Sequence, residues 1–450
     1  MNSRIIRYWT LSILFQLVPA TYSLADCNNI DAEGFTKVDQ TDELVYQSIS
    51  NNSDLDIAQI NVKVADLNIK KSLSTFYPRI DLRSSSMNTK KYGQIPGVDT
   101  VLLQGNDNID ATVATLSTTL NVYNGGHSIN TYRQAKKRKQ LAGLQTLGAR
   151  RQAAYKTIEL YVDAKKQYIR VQLLKTQTEF ANFESKIIDQ KAKQGHLSVV
   201  EYQKNQVDLK ILSQDLEVQE GLYEDSLLRL VAFTGIPFDK LADIRKNMAN
   251  SNDCYLEVFS NHASSGGKHS IDRLRLEGEI EDLNYERKKV LSRYKPSIDI
   301  VASIDATGYS TEGLQDSYSE TRKDKRYYGI QLQWNLFDGF AKGADLRKVN
   351  LEMAKKHKQL EKQQQDELLE RSKLTSELFA IQSEIRTLNK KSGIQSQEIQ
   401  ILKSQFSKGL VDNLLLKKTQ LTHNELQLQL KKLRVELGLT QLKLHMLSQN

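Results

Sequence analysis

Two long tracts of this 450-residue chain contain no proline, and this absence limits the available folds more than any other feature. None of the five prolines lies between Pro96 and Pro237, and none follows Pro296. A proline inside a helix removes a backbone hydrogen bond and clashes with the preceding turn. Both tracts are therefore free to form long helices, and their many charged residues indicate solvated helix faces instead of a large globular core.

Apolar residues recur at heptad spacing inside both proline-free tracts. This spacing is typical of helices that pack against each other as coiled coils. The residues are Leu147, Ala154, Tyr161 and Tyr168 in the first tract and Leu414, Leu421, Leu428 and Val435 in the second. The sequence therefore predicts a mainly α-helical fold. The net charge of +9 is modest for this length, so we expect no nucleic-acid partner.

Two pairs of glycines at equal spacing indicate an internal duplication. Gly125 and Gly195 are seventy residues apart, and so are Gly339 and Gly409. Each half predicts the same order of elements, namely helix, strand, loop, strand, long helix, turn and helix. We therefore divide the chain into a signal peptide (1–25), a first repeat (26–237), a small irregular segment (238–270) and a second repeat (271–450).

Stretches in which apolar and polar residues alternate predict a small β part. The clearest runs from Ile330 to Phe337, a second from Ile298 to Asp305, and shorter ones lie around 80–82 and 116–122. Successive side chains of a strand point to opposite faces, so each strand has one apolar and one polar face. These four strands fit a membrane barrel better than a soluble sheet, because no other element offers a matching apolar face.

The two faces of these strands are expected to contact two different environments. Four strands leave two open edges, which hydrocarbon does not tolerate, so a barrel must close between several chains. Two chains would give eight strands and three would give twelve, and the polar set favours a water-filled lumen and hence three or more. We expect the apolar set to face lipid: Ile298, Ile300, Ile330, Leu332 and Trp334. We expect the polar set to line the lumen: Asp299, Asp305, Gln331, Gln333 and Asn335.

The first 25 residues predict an export signal. A basic start precedes an apolar stretch that is too short to span a bilayer, and Ala25 ends a small-residue cleavage site. Cys27 follows, but Asp26 stands where a lipoprotein signal has a small residue, which disfavours lipidation. An oxidising compartment would permit a disulfide between Cys27 and Cys254, and the sequence leaves open whether these two cysteines pair.

Two pairs of motifs give the chain a resemblance to a known family. Leu120–Gly126 and Trp334–Gly339 resemble the strand-to-helix junctions of TolC-type outer-membrane channel proteins. Gln194–Glu201 and Lys408–Leu415 resemble the two periplasmic helix turns of that family. The resemblance extends from about residue 42 to about residue 447. Each motif is short, but their order and their duplication are specific.

The resemblance implies a duplicated protomer, mainly α with a small membrane β part. In this family three protomers form a twelve-stranded barrel in the outer membrane, and long antiparallel coiled-coil helices continue it as a periplasmic tunnel. The implied partners are two further copies, outer-membrane lipid, a periplasmic adaptor (membrane fusion protein) and an inner-membrane transporter of the ABC type. The implied function is a passive exit duct of a tripartite export machine. We expect type I protein secretion, while multidrug or small-molecule efflux stays open as an alternative.

A competing hypothesis from another class is a periplasmic structural coiled-coil protein. It would explain the heptads, but it has no use for the alternating strands. An enzyme is not expected, because the seven histidines are scattered and no nucleophile elbow or phosphate loop is present. For the same reason we expect no cofactor and no metal.

The resemblance also assigns roles to the two tips of the helical hairpins. Candidate adaptor contacts are Gly195, Leu197, Gly409 and Leu410, although a glycine between two helices is often only a turn residue.

The entrance constriction is the second role implied by the resemblance. Efflux members of the family carry aspartates six and nine residues after the second tip glycine, where this chain has Leu415 and Lys418. Glu201 keeps an acid six residues after the first tip glycine, and Asp412 is the nearest acid in the second repeat. These four residues are the constriction candidates, and a less acidic throat favours a polypeptide cargo.

Overall fold

A computed structural model describes residues 40–89, 109–248, 255 and 270–448 of the chain. The predicted export signal, Cys27 and Cys254 lie outside the described residues, as does the loop between the first two strands. None of the described helices combines the length and the apolar character that a membrane span requires.

The first repeat contains four helices and two strands among its described residues, and a fifth, short helix follows it. They are α1 (Gln40–Ser50), α2 (Ser53–Leu73), β1 (Arg79–Thr89), β2 (Ile109–Asn124), α3 (His127–Lys193), α4 (Val199–Thr234) and α5 (Leu241–Met248). Short 3-10 turns at Ser74–Phe76 and Phe238–Lys240 follow α2 and α4. The described residues of the segment expected to be irregular, 238–270, thus include a 3-10 turn and a short helix.

The second repeat follows the same plan. Its elements are α6 (Ile271–Ser292), β3 (Ser297–Ser310), α7 (Leu314–Ser319), β4 (Arg322–Gln333), α8 (Ala341–Ser407) and α9 (Asn413–Ser448). The long helices α3 and α8 each have 67 residues, and the returning helices α4 and α9 each have 36. Equal lengths in both halves support the duplication that the glycine spacing indicates.

The four strands form one antiparallel sheet in the order β1-β2-β3-β4. The fold is therefore mainly helical with a small antiparallel sheet of four strands, which confirms the predicted fold class. Neither edge strand has a second partner among the described residues, because β1 pairs only with β2 and β4 only with β3.

The strand expected at Ile330–Phe337 is displaced, and this prediction was wrong in its bounds. β4 begins at Arg322 and ends at Gln333, so Trp334 and Asn335 lie beyond the strand. The reason is the partner strand: the last register pair joins Ser297 to Gln333, and the residue before Ser297 is a proline, which has no amide hydrogen to donate.

The helical segment that precedes β1 is interrupted. It is divided between α1 and α2, because Asn52 takes an extended backbone and its side-chain oxygen accepts a hydrogen bond from the amide of Leu55 at 3.0 Å. The neighbouring Asn51 donates its side-chain amide to the carbonyl of Thr234 at 3.2 Å. This break therefore anchors the start of α2 to the end of α4.

The hydrophobic core lies midway along the long helices. α1, α3, α4, α5 and α9 converge there around Ile158, Tyr161 and Leu227, which are fully buried. A second, smaller cluster joins α8 to α9 through Leu388 and Leu430. The sheet has no share in either cluster, so its faces are not covered by the core of its own protomer.

Candidate functional site

The sheet has one apolar face, and its register aligns that face across the strands. Ile300 lies opposite both Leu120 and Ile330, and Ile298 lies opposite Leu332. Residues directly opposite in an antiparallel pair share a face. Ile330 is 77% exposed and Leu332 is 63% exposed, whereas a soluble sheet would bury such a face.

The opposite face is polar and makes hydrogen bonds between its own side chains. Asn121 donates to Asp299 at 2.7 Å, and Ser303 donates to Asp305 at 3.0 Å. Polar side chains of this face thus bond to each other, whereas Ile330 and Leu332 of the other face are exposed. Such an arrangement is the inverse of a soluble sheet and suits an apolar surround with an aqueous interior.

The predicted lipid-facing and lumen-facing residues follow these two faces. Among the described strands, the apolar set Ile298, Ile300, Ile330 and Leu332 lies on one face, and the polar set Asp299, Asp305, Gln331 and Gln333 lies on the other. Trp334 and Asn335 come after the strand end. The assignment of lipid and lumen to these faces stays a prediction.

Aromatic side chains gather where the sheet meets the helices, a feature that the sequence analysis missed. The indole nitrogen of Trp334 donates to the carbonyl of Tyr294 at 3.1 Å. The rings of Phe337 and Phe340 stand edge to face with centroids 5.4 Å apart, and both rings are exposed. Exposed aromatic residues at a strand end are typical of the interface between hydrocarbon and water. The aromatic residues of the motif Trp334–Phe340 were the available signal.

The two strand-to-helix junctions use the same capping device. The side-chain oxygen of Asn124 accepts from the amide of Ser128 at 3.1 Å, and that of Asp338 accepts from the amide of Lys342 at 3.1 Å. Each cap satisfies an amide that has no partner inside its own helix. The caps define where α3 and α8 begin, at corresponding positions in the two repeats.

Glycine is required at the first junction because of a close approach. Gly125 has a φ of +68°, and a Cβ atom there would lie 2.5 Å from the carbonyl oxygen of Ser292. Gly339 shares the left-handed backbone, with a φ of +67°, but a Cβ atom would meet nothing within 4 Å. The residue after it, Phe340, also has a positive φ of 69°, a conformation that costs a bulky side chain about 1–2 kcal/mol.

The predicted tip glycines end the two long helices. Gly195 and Gly409 have φ values of +76° and +74°, the left-handed backbone that terminates helices. The amide of His196 donates to the carbonyl of Lys191 at 2.9 Å, and that of Leu410 donates to Gln405 at 3.0 Å. The two tips therefore have matching hydrogen bonds.

Apolar side chains are exposed at both tips. Leu410 is 72% exposed in the second tip, and Leu197 is half-buried in the first. Sequence reasoning missed Val199 and Val200, which are 71% and 73% exposed. Two adjacent β-branched residues right after a helix turn were the available signal. The adaptor role of the tips stays a prediction.

The acidic constriction candidates serve as helix caps in the structure. Glu201 forms a capping box with Ser198: its carboxylate accepts from the Ser198 amide at 3.1 Å, and the Ser198 hydroxyl accepts from the Glu201 amide at 3.2 Å. Hydrogen bonds from the side chain and backbone of Ser198 lower the pKa of Glu201. Asp412 accepts from the amide of Leu414 at 3.4 Å. A local structural role therefore accounts for both carboxylates.

The two non-acidic constriction candidates are exposed on the first turns of α9. Leu415 is 50% exposed, and Lys418 is also exposed. Lys418 makes no ion pair with a described residue. No group of three or more His, Cys, Asp or Glu side chains in the described part of the chain is placed to hold a metal. The assignment of these residues to a constriction stays a prediction.

Comparison with known proteins agrees with this geometry. The fold is similar to that of the outer membrane protein VceC from Vibrio cholerae, with 14% identity, 91% of this chain and 96% of that chain covered, and a TM-score of 0.69. It is similar to the CmeC outer membrane channel of Campylobacter jejuni, with 14% identity, 91% and 85% coverage and a TM-score of 0.70. Comparison with curated protein sequences finds no match.

The fold is that of a TolC-like channel-tunnel protomer. Residues 44–236 match the model of the outer membrane efflux protein family. This match, together with the fold, confirms the resemblance to TolC-type channels that the junction and tip motifs indicate.

Proposed function

We propose that three copies of the chain form a twelve-stranded barrel in the outer membrane, continued by a helical tunnel into the periplasm. The observation that carries this proposal is the exposed apolar face of a sheet with two open edges. In hydrocarbon the unpaired amides and carbonyls of β1 and β4 must find partners, and the edges of neighbouring copies supply them. Three four-stranded sheets give twelve strands, enough for an aqueous passage.

The helices set the length of the proposed duct. At about 1.5 Å per residue, a helix as long as α3 or α8 extends for roughly 100 Å. Both helices begin directly after the strands, at the capped junctions described above, so the tunnel continues the wall of the barrel. The tips at Gly195 and Gly409 then lie farthest from the membrane, where a periplasmic adaptor and an inner-membrane transporter of the ABC type would dock.

We infer that the cargo is a polypeptide exported by type I secretion. Support comes from the second tip, where the exposed side chains Leu415 and Lys418 replace the paired carboxylates expected of an efflux entrance. An entrance constriction without those carboxylates has little negative charge to attract a cationic drug. Apolar and basic side chains there tolerate an unfolded polypeptide of varied composition.

Single-channel recording in planar bilayers tests this inference. We expect weak cation selectivity and weak block by trivalent cations added on the tip side. Strong cation selectivity with block at low concentrations of trivalent cation would contradict a non-acidic entrance. As a control, the paired change Leu415→Asp and Lys418→Asp should create that block in the same protein.

Small-molecule efflux is the second candidate, favoured by the description of the matched family. Deletion of the gene distinguishes the two functions. Secretion predicts that one or a few large proteins disappear from the culture medium, with unchanged drug susceptibility. Efflux predicts the reverse. The periplasmic stalk hypothesis is disfavoured, because a stalk has no use for an exposed apolar sheet face.

A further inference from the structure

A cavity of about 290 Å³ lies at the base of the sheet, beside the starts of α3 and α8. Its wall includes the strand-end residues Ser297 and Gln333, which pair with each other on the polar face. The cavity therefore opens toward the same side as Asp299 and Gln331. Neither Trp334, Phe337 and Phe340 nor the residues of the helix tips line this cavity. The proposed export duct assigns it no role.

Cationic groups dominate the wall of this cavity. They are Arg293, Lys295 and Lys342, and no Asp or Glu side chain is among its lining residues. His127 also lines it, but burial lowers the pKa of its ring, so His127 adds no charge at neutral pH. Arg293 is paired with two carboxylates that do not line the cavity, Asp345 at 2.5 Å and Asp338 at 4.0 Å. Lys295 makes no ion pair with any described residue. The positive charges are thus only partly neutralised by the protein.

Lys342 is the most buried of these cationic groups, since it is only 6% exposed. Its ammonium donates to the backbone carbonyl of Asn335 at 2.6 Å and lies 5.6 Å from the centre of the Tyr294 ring. Both partners are neutral. The nearby carboxylate of Asp338 instead accepts from the backbone amide of Lys342. A buried cation held by neutral groups is costly, and a bound anion would offset that cost.

The start of α3 adds to the positive potential. α3 begins beside the cavity with a neutral cap, Asn124, and the N-terminal end of a helix carries a partial positive charge. The start of α8 is capped by the carboxylate of Asp338 and does not add to it. The cavity is at the lower end of the volume range of ligand pockets, so it suits one small group and a few waters.

We propose that this cavity is an anion-binding site that takes a single oxyanion group, a phosphate or a carboxylate. Lys295 and Lys342 are its principal ligands, and Gln333 and Asn335 offer polar groups beside them. The placement of the site in the lumen, between barrel and tunnel, rests on the proposed duct, whereas the binding itself does not. In a trimer the three sites would form a cationic ring around the passage.

Titration calorimetry on the detergent-extracted full-length protein tests the site, with inorganic phosphate and acetate as separate probes at constant ionic strength. We expect saturable binding of at least one probe at one site per protomer. Lys295→Gln should weaken that binding about tenfold, the effect of losing one charge-assisted hydrogen bond. Lys342→Gln should do the same, and Lys348→Gln, which changes an exposed lysine of α8 outside the cavity, should have no effect.

Absence of saturable binding of both probes to the unchanged protein would overturn the site. Equal weakening by Lys348→Gln would also overturn it, since that result indicates diffuse surface charge. Because Lys342 is buried, its variant could perturb the junction, and the exposed Lys295 keeps the test decisive. Failure of the site and failure of the duct are distinguishable. A conducting assembly without binding rejects only the site, and a bound anion on a non-conducting protein rejects only the duct.

Discussion

The substitution Ile330→Lys separates a lipid-facing sheet from a soluble one, because its effect differs between the two environments. Ile330 is 77% exposed in the protomer and lies two residues above Leu332 on the apolar face. At ~3.3 Å per residue and a strand tilt of ~40°, Ile330 lies roughly 5 Å deeper in the hydrocarbon than Leu332.

The expected cost follows from this depth. A lysine on the lipid face of a barrel costs about 2–4 kcal/mol at the midplane and about 0–1 kcal/mol near the interface. At the depth of Ile330 we therefore expect about 1–2 kcal/mol per protomer, which adds up over the three protomers of the proposed barrel. On a water-exposed surface the same change would usually stay within about 0.5 kcal/mol.

The assay is urea unfolding of the protein reconstituted in lipid vesicles, together with the yield of assembled protein in the outer-membrane fraction. The matched control is Gln331→Lys, at the next residue and on the polar face, which should leave both quantities nearly unchanged. Equal tolerance of the two lysines, or an Ile330→Lys variant that becomes more soluble in water without loss of stability, would refute the lipid-facing assignment.

Three further predictions concern the junctions and the tips. Gly125→Ala should lower the free energy of unfolding by about 1–3 kcal/mol more than Gly339→Ala in thermal or urea unfolding, because both positions share a left-handed backbone but only the first contacts a neighbouring carbonyl; equal effects would contradict the close approach. Ser198→Ala should destabilise the start of α4 by about 1 kcal/mol in hydrogen exchange. The hydrogen bonds that lower the pKa of Glu201 should stabilise this helix start at neutral pH, and that stabilisation should disappear as the pH falls through the pKa. A stabilisation that grows on acidification would be inconsistent with this expectation. Leu410→Glu should abolish export in cells while single-channel conductance is retained, and unimpaired export would exclude this residue from adaptor docking.

The long helices could be predicted closely from sequence. Residues 128 to about 193 lack proline and end at a glycine, and α3 spans His127–Lys193 in the structure. The reason is that helix boundaries are local: a left-handed glycine and a nearby cap decide them, and both are readable from neighbouring residues. The same reasoning placed the second tip at Gly409.

The strands were predicted in position but not in length. β2 begins at Ile109, well before the alternation that starts near Leu116, because pairing with β3 continues through Asp110–Thr115 whatever their polarity. The early start of β4 at Arg322 has the same cause. Strand ends depend on partners that are distant in sequence, so an isolated pattern underestimates them.

The candidate site was predicted unevenly for the same reason. The faces of β3 and β4 follow from alternation alone, but the cap role of Glu201 depends on its geometry with Ser198. The cationic cavity could not be foreseen, since Lys295 and Lys342 come from different elements and are brought together only by the antiparallel register. Short sequence motifs identify the strand-to-helix junctions. Contacts between residues of different elements, such as Lys295 and Lys342, become visible only in the folded structure.

The central claim is that the exposed apolar face of the sheet belongs to a barrel shared by three chains in the outer membrane. The most direct measurement is the mass of the assembly extracted from outer membranes in mild detergent, by native mass spectrometry, with conductance of the same preparation in a planar bilayer. The account predicts an assembly of three chains that conducts ions. A monomer that is extracted from the periplasmic fraction with aqueous buffer alone, without detergent, would contradict it.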